Sequence, residues 1–408
     1  RVEGKIVMLL QIYSRTYQGI MKNTAHRLNW QPPAVINCVG CIEKLAPKLN
    51  ENNIKKVLIV TDEGIVRAGL LKRMLNSLNE ENIIYFIYKG TAANPTSKNI
   101  AEAVQVYKEQ NCEGIIGFGG GSAIDCAKGT GIAAVKNTSD LRRFKGVLKV
   151  RKDLPYFAAV PTTAGTGSEA TIAAVITDHD TDEKYAVIDT KLMPNAAVLD
   201  PELLLGLPKD MTAYSGMDAL THAVEAYINR SNTKQTKMLS EEAVELIYKN
   251  LYQSYTDGQD IKARTNMQRA SYFAGKAFTR AYVGNVHAMG HALGAKYNLQ
   301  HGQTVAKILP YILEEYGETV HDKLAHLGDI ANVTDEKDSN AVKAEKFIES
   351  IKELNNKMDI GENFPELRHR DINDLADSAY SEANPLYPVP VIFTKADFIR
   401  MYKKLMSV

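Results

Sequence analysis

The chain has 408 residues, 45% of them apolar and 24% charged, with 49 basic side chains against 48 acidic ones. That length exceeds what one hydrophobic core usually organises, so two domains are expected, and the near-zero net charge excludes bulk attraction to nucleic acid. No uncharged apolar run reaches the ~18 residues of a membrane span, and four cysteines in so long a chain make no disulfide framework, which points to a reducing, cytoplasmic setting.

At the N-terminus, Ile6 to Met21 is rich in apolar residues, and Arg1, Lys5, Arg15, Lys22 and Arg27 stand against Glu3. Gln11, Ser14, Arg15 and Gln18 interrupt the run and no small-residue cleavage site follows, which does not fit a signal peptide. Residues 1–33 read as a helical extension packed on its own domain or on a partner subunit; a basic amphipathic helix lying on a membrane surface is the alternative. Cys38-Val-Gly-Cys41 then forms a CxxC pair. A zinc ribbon needs a second pair, and Cys112 and Cys126 are too far apart to supply one. A thioredoxin-like motif finds no support in the surroundings, so two ordinary thiols in a turn before a helix are expected.

Residues 34–205 alternate strands and helices. Lys55 to Asp62 is an apolar, branched run ending in Asp-Glu-Gly, the pattern of a buried parallel strand and its exit loop. A helix follows from Val66 to Leu78, then a strand from Ile83 to Tyr88. Asn94-Pro95-Thr96 breaks the chain and caps a helix from Lys98 to Glu109. The strand Gly114–Phe118 runs into Gly119-Gly-Gly-Ser122, and another, Phe157 to Val160, runs into Pro161-Thr-Thr-Ala-Gly-Thr-Gly-Ser168. Such alternation predicts a parallel, Rossmann-like sheet covered by helices. Residues 206–408 predict an all-helical domain instead, with helices over Ala213–Arg230, Ser240–Tyr255, Lys262–Phe278 and Gly284–Ala295. The one proline-rich stretch, Asn384 to Pro390, reads as a surface crossing.

The glycines at 119, 120 and 121, with Ser122, let backbone N–H groups at a helix N-terminus approach a diphosphate closely. The dinucleotide fingerprint is missed by one residue, because Gly117-Phe-Gly119 is followed three positions later by Ser122. Asp62, at the end of a parallel strand, suits a ribose diol and repels a 2′-phosphate, which favours NAD over NADP. It precedes the glycine loop, whereas in an ordinary Rossmann domain the acid follows it, so the wiring must differ. In the second loop, the hydroxyls of Thr162, Thr163 and Thr166 suit phosphate or ribose contacts.

Of nine histidines, four belong to one constellation. Asp218 and His222 are four apart, as are His287 and His291, which puts each pair on one helical face; His301-Gly302 follows in a loop. Small neighbours (Gly216, Ala219, Ala223, Ala288, Gly290, Ala292, Gly294) leave room beside the imidazoles for an open coordination position. One carboxylate with imidazoles and no thiolate suits Fe(II), Zn(II), Mn(II), Co(II) or Ni(II).

Taken in order, Thr61-Asp62, Asn94-Pro95-Thr96, Gly119-Gly-Gly-Ser-x-x-Asp125 and Pro161 to Glu169 make a specific set. Asp200-Pro-Glu-Leu203, Gly216 to Tyr227, and His287-x-x-x-His291 with His301-Gly302 complete it. From about Ala34 onward the chain resembles the iron-containing (group III) alcohol dehydrogenases, which share the dehydroquinate synthase-like fold with glycerol dehydrogenases. The resemblance implies that Asp218, His222, His287 and His301 bind Fe2+ (Zn2+ or another divalent metal being alternatives), that His291 lies near the substrate as a polar or proton-relay group, and that Phe278 walls the substrate pocket. It also implies nicotinamide-cofactor contacts from Asp62, Asn94, Gly119, Gly120, Gly121, Ser122, Asp125, Thr162, Thr163, Thr166 and Lys184.

The implied activity is reversible hydride transfer between a primary alcohol or diol and NAD, with aldehyde or ketone formed and a homodimer or larger homo-oligomer expected. A glycerol-type polyol dehydrogenase or a cyclase on the same fold is the nearest alternative, and a non-catalytic nucleotide-binding protein is a different class. Gln303-Thr-Val-Ala-Lys307, Thr279-Arg280 and the N-terminal extension are this chain's own, and they leave the substrate open.

Overall fold

A computed structural model describes residues 2–25, 31–138, 140–181 and 183–406. It divides into two compact units, Trp30–Leu207 with Gly258–Tyr272, and Arg1–Asn29 with Pro208–Asp257 and Phe273–Val408.

The first unit carries nine strands: β1 (Ala34–Asn37), β2 (Lys56–Val60), β3 (Ile84–Tyr88), β4 (Gly114–Gly119), β5 (Gly146–Val147), β6 (Tyr156–Pro161), β7 (Ala173–Thr177), β8 (Lys184–Ile188) and β9 (Ala196–Leu199). Six of them form a sheet in the order β1-β9-β6-β4-β2-β3, every neighbouring pair parallel. Residues 57–60 of β2 and all of β4 are buried, which is why both read as continuous apolar runs and not as alternating ones. A smaller sheet, β5-β8-β7, had no separate signature in the sequence.

Among the helices are α1 (Val2–Ala25) of the other unit and, in this one, α2 (Leu45–Glu51), α3 (Glu63–Arg67), α4 (Lys72–Glu80), α5 (Ser97–Glu109) and α6 (Gly121–Lys136). The single helix expected from Val66 to Leu78 is two, because Gly69 takes a positive φ of 70° between them, where the α-helix cannot continue. The α5 start is as expected: Thr96 Oγ1 accepts the Asn99 N–H and Asn99 Oδ1 accepts the Thr96 N–H, a reciprocal cap, which is worth about 1 kcal/mol.

The second unit continues with α7 (Lys209–Ile228), α8 (Lys234–Thr256), α9 (Ile261–Ala281, its first part in the sheet unit), α10 (Asn285–Tyr297), α11 (His301–Tyr316), α12 (His321–Ala331), α13 (Asn340–Lys357), α14 (Ile372–Ala383) and α15 (Lys395–Lys404). α7 is buried on all sides from Gly216 to Ile228 and packs on α8 and α11; α10 packs on α11 and α14. No helix among the described residues is long and apolar enough to cross a membrane.

α1 lies on this unit by its polar side. Arg15 donates to the carbonyls of Val389 (2.8 Å) and Pro390 (2.8 Å), Gln18 to those of Pro385 (3.1 Å) and Tyr387 (2.8 Å), and Lys22 to that of Arg230 (3.1 Å). The proline-rich stretch is therefore no surface crossing. Tyr387 to Pro390 are buried, because polar side chains of α1 satisfy their carbonyls. Met8, Leu9, Ile12, Tyr13 and Ile20 of α1 are left exposed.

α7 and α11 come closest at Gly302, where an added Cβ would stand 2.2 Å from the Tyr214 carbonyl oxygen. That oxygen is backbone and has no rotamer to move into. Gly302→Ala should therefore lower stability by about 1–3 kcal/mol through overpacking, read as a lower thermal midpoint; an unchanged midpoint would mean that the two helices separate freely.

Candidate metal centre

α7 presents Asp218, His222 and Glu225 at spacings of four and three, which puts all three on one helical face. α10 adds His287 and His291 one turn apart. His301, expected in a loop, is instead the first residue of α11, which fixes its backbone on a rigid element. Around Asp218 Oδ1 stand His222 Nδ1 at 3.8 Å, His287 Nε2 at 3.7 Å and His301 Nε2 at 3.4 Å. The ligand-capable atoms of Asp218, His222 and His287 all lie within 4.8 Å of one another. These separations are too long for good N–H···O hydrogen bonds, which favour 2.7–3.2 Å. They approach the ~3.0–3.4 Å between atoms that share an ion at ~2.1 Å.

Asp218 Oδ1 and His287 Nε2 are deeply buried and make no hydrogen bond. Each such orphan costs about 1–3 kcal/mol unless something satisfies it, and a divalent cation would satisfy both. The charges point the same way. Burial opposes ionisation of Asp218, yet His222, His301 and His287 hold it well below the usual carboxylate range. Burial also pulls the His287 imidazolium down, but Glu225 and Asp218 outweigh it and push the pKa up to about 9. His301 is held down to about 4, chiefly by burial. The Asp218 carboxylate and the imidazoles thus act strongly on one another, as groups gathered around one cation would. The His301 side chain is 29% exposed against 2–6% for the other three, so the centre is open on its side.

Glu225, passed over in the sequence, orients the cluster. Its carboxylate accepts the Gly284 N–H (2.9 Å), the Val286 N–H (2.9 Å) and His287 Nδ1 (2.6 Å). Holding the proton on Nδ1 leaves Nε2 as the lone-pair donor that a metal needs. The signal was legible: Glu225 falls three residues after His222 on the same face. His291 makes a parallel arrangement, with Nδ1 2.6 Å from Glu382 Oε1, and Tyr387 Oη donates to the same oxygen at 2.8 Å. Its ring stacks 5.1 Å from that of His301. Glu382 and Tyr387 lie about ninety residues downstream, and nothing local in the sequence marks them. Phe278 stacks on His222 with ring centroids 4.2 Å apart.

The glycine loop belongs to the sheet unit. Moving from β2 to β3 the chain steps one way along the sheet, and from β3 to β4 it crosses back to the other side of β2. The exits of β2 and β4 therefore flank a switch point, where ligands of open α/β sheets collect. Asp62 leaves one exit and Gly119 the other, which explains how an acid that precedes the loop still reaches it. Gly119 has φ 148°, and a Cβ there would lie 2.8 Å from the Ala123 Cβ and 3.5 Å from Asp62 Oδ2. No side chain caps the start of α6.

The second loop covers the first. Thr163 lies over Gly120 and Thr166 over Gly121, while the Thr162 N–H bonds the Gly119 carbonyl at 2.9 Å. Ser122 Oγ donates to the Ala93 carbonyl, and Lys184 Nζ to Asn94 Oδ1 at 3.1 Å. The fifth residue of α6 is Asp125. It is buried one turn into α6, and its Oδ2 accepts the Val175 N–H at 3.0 Å, securing β7. Asp62 Oδ1 caps α3 through the Ile65 N–H at 2.9 Å.

Comparison with known proteins is consistent along the chain. Residues 32–201 match the family model "Iron-containing alcohol dehydrogenase" and residues 212–406 match "Fe-containing alcohol dehydrogenase family, C-terminal". Alcohol dehydrogenase 4 of Saccharomyces cerevisiae is 38% identical over 376 residues, covering 91% of this chain and 97% of that protein. The NAD-dependent methanol dehydrogenase of Bacillus methanolicus is 34% identical, over 86% of this chain and 92% of that protein. The crystal structure of a 1,3-propanediol oxidoreductase superposes with a TM-score of 0.89 at 31% identity, covering 93% of this chain and 99% of that one. With both halves matched and the parallel sheet and helical unit in place, the chain belongs to the iron-containing alcohol dehydrogenase family of oxidoreductases.

Proposed function

We propose that this chain is an NAD-dependent alcohol dehydrogenase that interconverts primary alcohols or diols with the corresponding carbonyl compounds at a divalent metal, Fe2+ in the first instance. The observation that carries the reading is the convergence of His222, His287 and His301 on Asp218, with two buried atoms there left without a hydrogen bond. We assign metal binding and chemistry to residues 206–408, dinucleotide binding to residues 34–205, and an extension to residues 1–33. A cytoplasmic homodimer or larger homo-oligomer is part of this reading; its four cysteines are free thiols, and Val35 on the edge strand β1 is exposed.

Asp218, His222, His287 and His301 would hold the metal, which when bound polarises an alcohol oxygen and eases loss of its proton. NAD supplies the hydride acceptor. The remaining work falls to the chain's own residues. Glu225 keeps the His287 proton on Nδ1 and so fixes the ring that faces Asp218. Phe278 stacks on His222, limits its rotation and gives the pocket an apolar wall. Glu382, itself held by Tyr387 Oη, keeps a proton on His291 Nδ1 and leaves Nε2 free to accept and relay the proton that the alcohol releases. Gly119 to Ser122 offer backbone N–H groups to the diphosphate, with Thr162, Thr163 and Thr166 beside them and Asn94 and Lys184 at the rim. Asp62 receives the ribose diol, and Asp125 supports the site from behind through β7.

Protein reconstituted anaerobically with Fe(II) should form NADH from short primary alcohols or diols, and chelation should abolish this. Net NADH also separates a dehydrogenase from a cyclase, which regenerates its cofactor at each turnover. His291→Ala should keep its metal while turnover falls by about 10²–10⁴-fold, the usual size of a lost general acid–base group; unaltered turnover removes His291 from the proton path. Glu225→Gln should weaken metal affinity by about 10–100-fold, as loss of a ligand-orienting partner does, measured by competition with a chromophoric chelator. Asp62→Gly should relax the preference for NAD over NADP, read as the ratio of kcat/KM values, and an unchanged ratio would rule out the ribose contact.

A further inference from the structure

Outside both sites, the CxxC segment is more organised than two ordinary thiols in a turn. Cys38 follows β1, and the Cys41 N–H bonds the Cys38 carbonyl at 3.4 Å, closing a four-residue turn that ends in a 3-10 helix over Cys41–Lys44. Such a turn brings its end Cα atoms within about 7 Å, near the 4.4–6.8 Å span that a disulfide bridges. Three contacts fix it. Asp200 accepts the Gly40 N–H (2.9 Å) and the Ile42 N–H (3.0 Å), and Arg73 donates to the Gly40 carbonyl (3.1 Å). Gly40 makes the turn with φ 74°.

Within this frame both cysteines are free thiols, and the Cys41 sulfur sits against the Cys38 backbone. The Cys38 N–H points at Cys41 Sγ (3.1 Å), and the Cys41 thiol lies 3.6 Å from both the Ile36 and Leu199 carbonyl oxygens. They differ in character. Cys38 is half-buried, with Lys44 Nζ 3.5 Å from its sulfur, and it is the more accessible of the two. Cys41 is buried, and burial pushes its thiol up to about 12. Cys112 and Cys126 are enclosed in the apolar core of the sheet unit, where thiols are inert.

We propose that Cys38 and Cys41 form a modification site, a dithiol that a hydroperoxide converts reversibly to a disulfide. The Cys38 thiolate attacks the terminal peroxide oxygen, the O–O bond breaks, and Cys38 becomes a sulfenic acid as the alkoxide or hydroxide leaves and takes a proton. The Cys41 sulfur then attacks the Cys38 sulfur. The S–O bond breaks, the Cys41 proton leaves with the hydroxyl as water, and the S–S bond forms. Two thiols lose two electrons, and one peroxide gains them. A dithiol reductant restores the pair by exchange. The product clips the exit of β1 to the start of the 3-10 helix, where Asp200 already holds the turn.

The test treats the reduced, full-length protein with stoichiometric hydrogen peroxide, blocks remaining thiols with N-ethylmaleimide and maps the peptides by mass spectrometry. The expected product is an intramolecular Cys38–Cys41 disulfide, two hydrogen masses lighter and reversed by dithiothreitol, with Cys112 and Cys126 fully alkylated after unfolding. Cys41→Ser should stop Cys38 at a sulfenic acid that dimedone traps. Cys38→Ser should leave Cys41 unoxidised. Lys44→Gln, an exposed change that spares the fold, should slow Cys38 oxidation several-fold. Oxidation of Cys112 or Cys126 ahead of Cys38 would overturn the proposal. So would a Cys38–Cys38 bridge between chains, or Cys38 over-oxidised beside a free Cys41 thiol.

Discussion

The helical unit is organised around one unfavourable fact, a carboxylate buried in the middle of α7. An isolated Asp218 would cost several kcal/mol to bury ionised, so the surrounding architecture supplies positive or polarisable partners at close quarters. That requirement explains why α7, α10 and α11 carry small residues where they meet. Gly302 lets α11 approach the α7 backbone, and with it His301 reaches the carboxylate. Glu225 adds a second buried carboxyl group, bonded to two backbone N–H groups and one imidazole. The proposed metal assignment rests on this gathering of carboxyl and imidazole groups around one buried position.

In the sheet unit the corresponding device is a buried ammonium. Lys128 of α6 is completely enclosed, and it donates to the carbonyls of Ser168, Thr171 and Ala173 and to Thr171 Oγ1 at 2.7–2.9 Å. Burial lowers it to about 8, while Asp125 and Glu169 act in the opposite sense. These four acceptors tie the end of the threonine loop to the helix whose N-terminus carries the glycines. The two loops of the proposed dinucleotide surface are therefore joined through this side chain as well as by the bond from the Thr162 N–H to the Gly119 carbonyl.

Much of this was legible because it is periodic. Asp218/His222 and His287/His291 recur at helical spacing, and the buried strands β2, β4 and β6 announce themselves as short branched runs. Where reading failed, the cause lies in the third dimension or in a single backbone angle. Gly69 divides one expected helix by a positive φ. The strands β7 and β8 alternate buried and half-buried residues in five-residue segments, too short to stand out beside the main sheet. His301 starts a helix because Gln300 precedes it in an extended conformation, a feature without a strong capping residue to signal it. Glu382 and Tyr387 reach His291 only after the chain has folded through α11 to α14, and proximity of that kind leaves no local pattern.

The attachment of α1 has a consequence of another sort. Among its described side chains the buried ones, Ser14 and Gln18, are polar, and its described links to the body are hydrogen bonds to backbone carbonyls. Such bonds contribute only about 1 kcal/mol each, because water replaces them when they open. Links of this kind can be exchanged for bonds to water, which the contacts of an apolar helix face packed on a core cannot be. Four such bonds hold the helix over the buried segment that carries Tyr387, whose hydroxyl in turn holds Glu382.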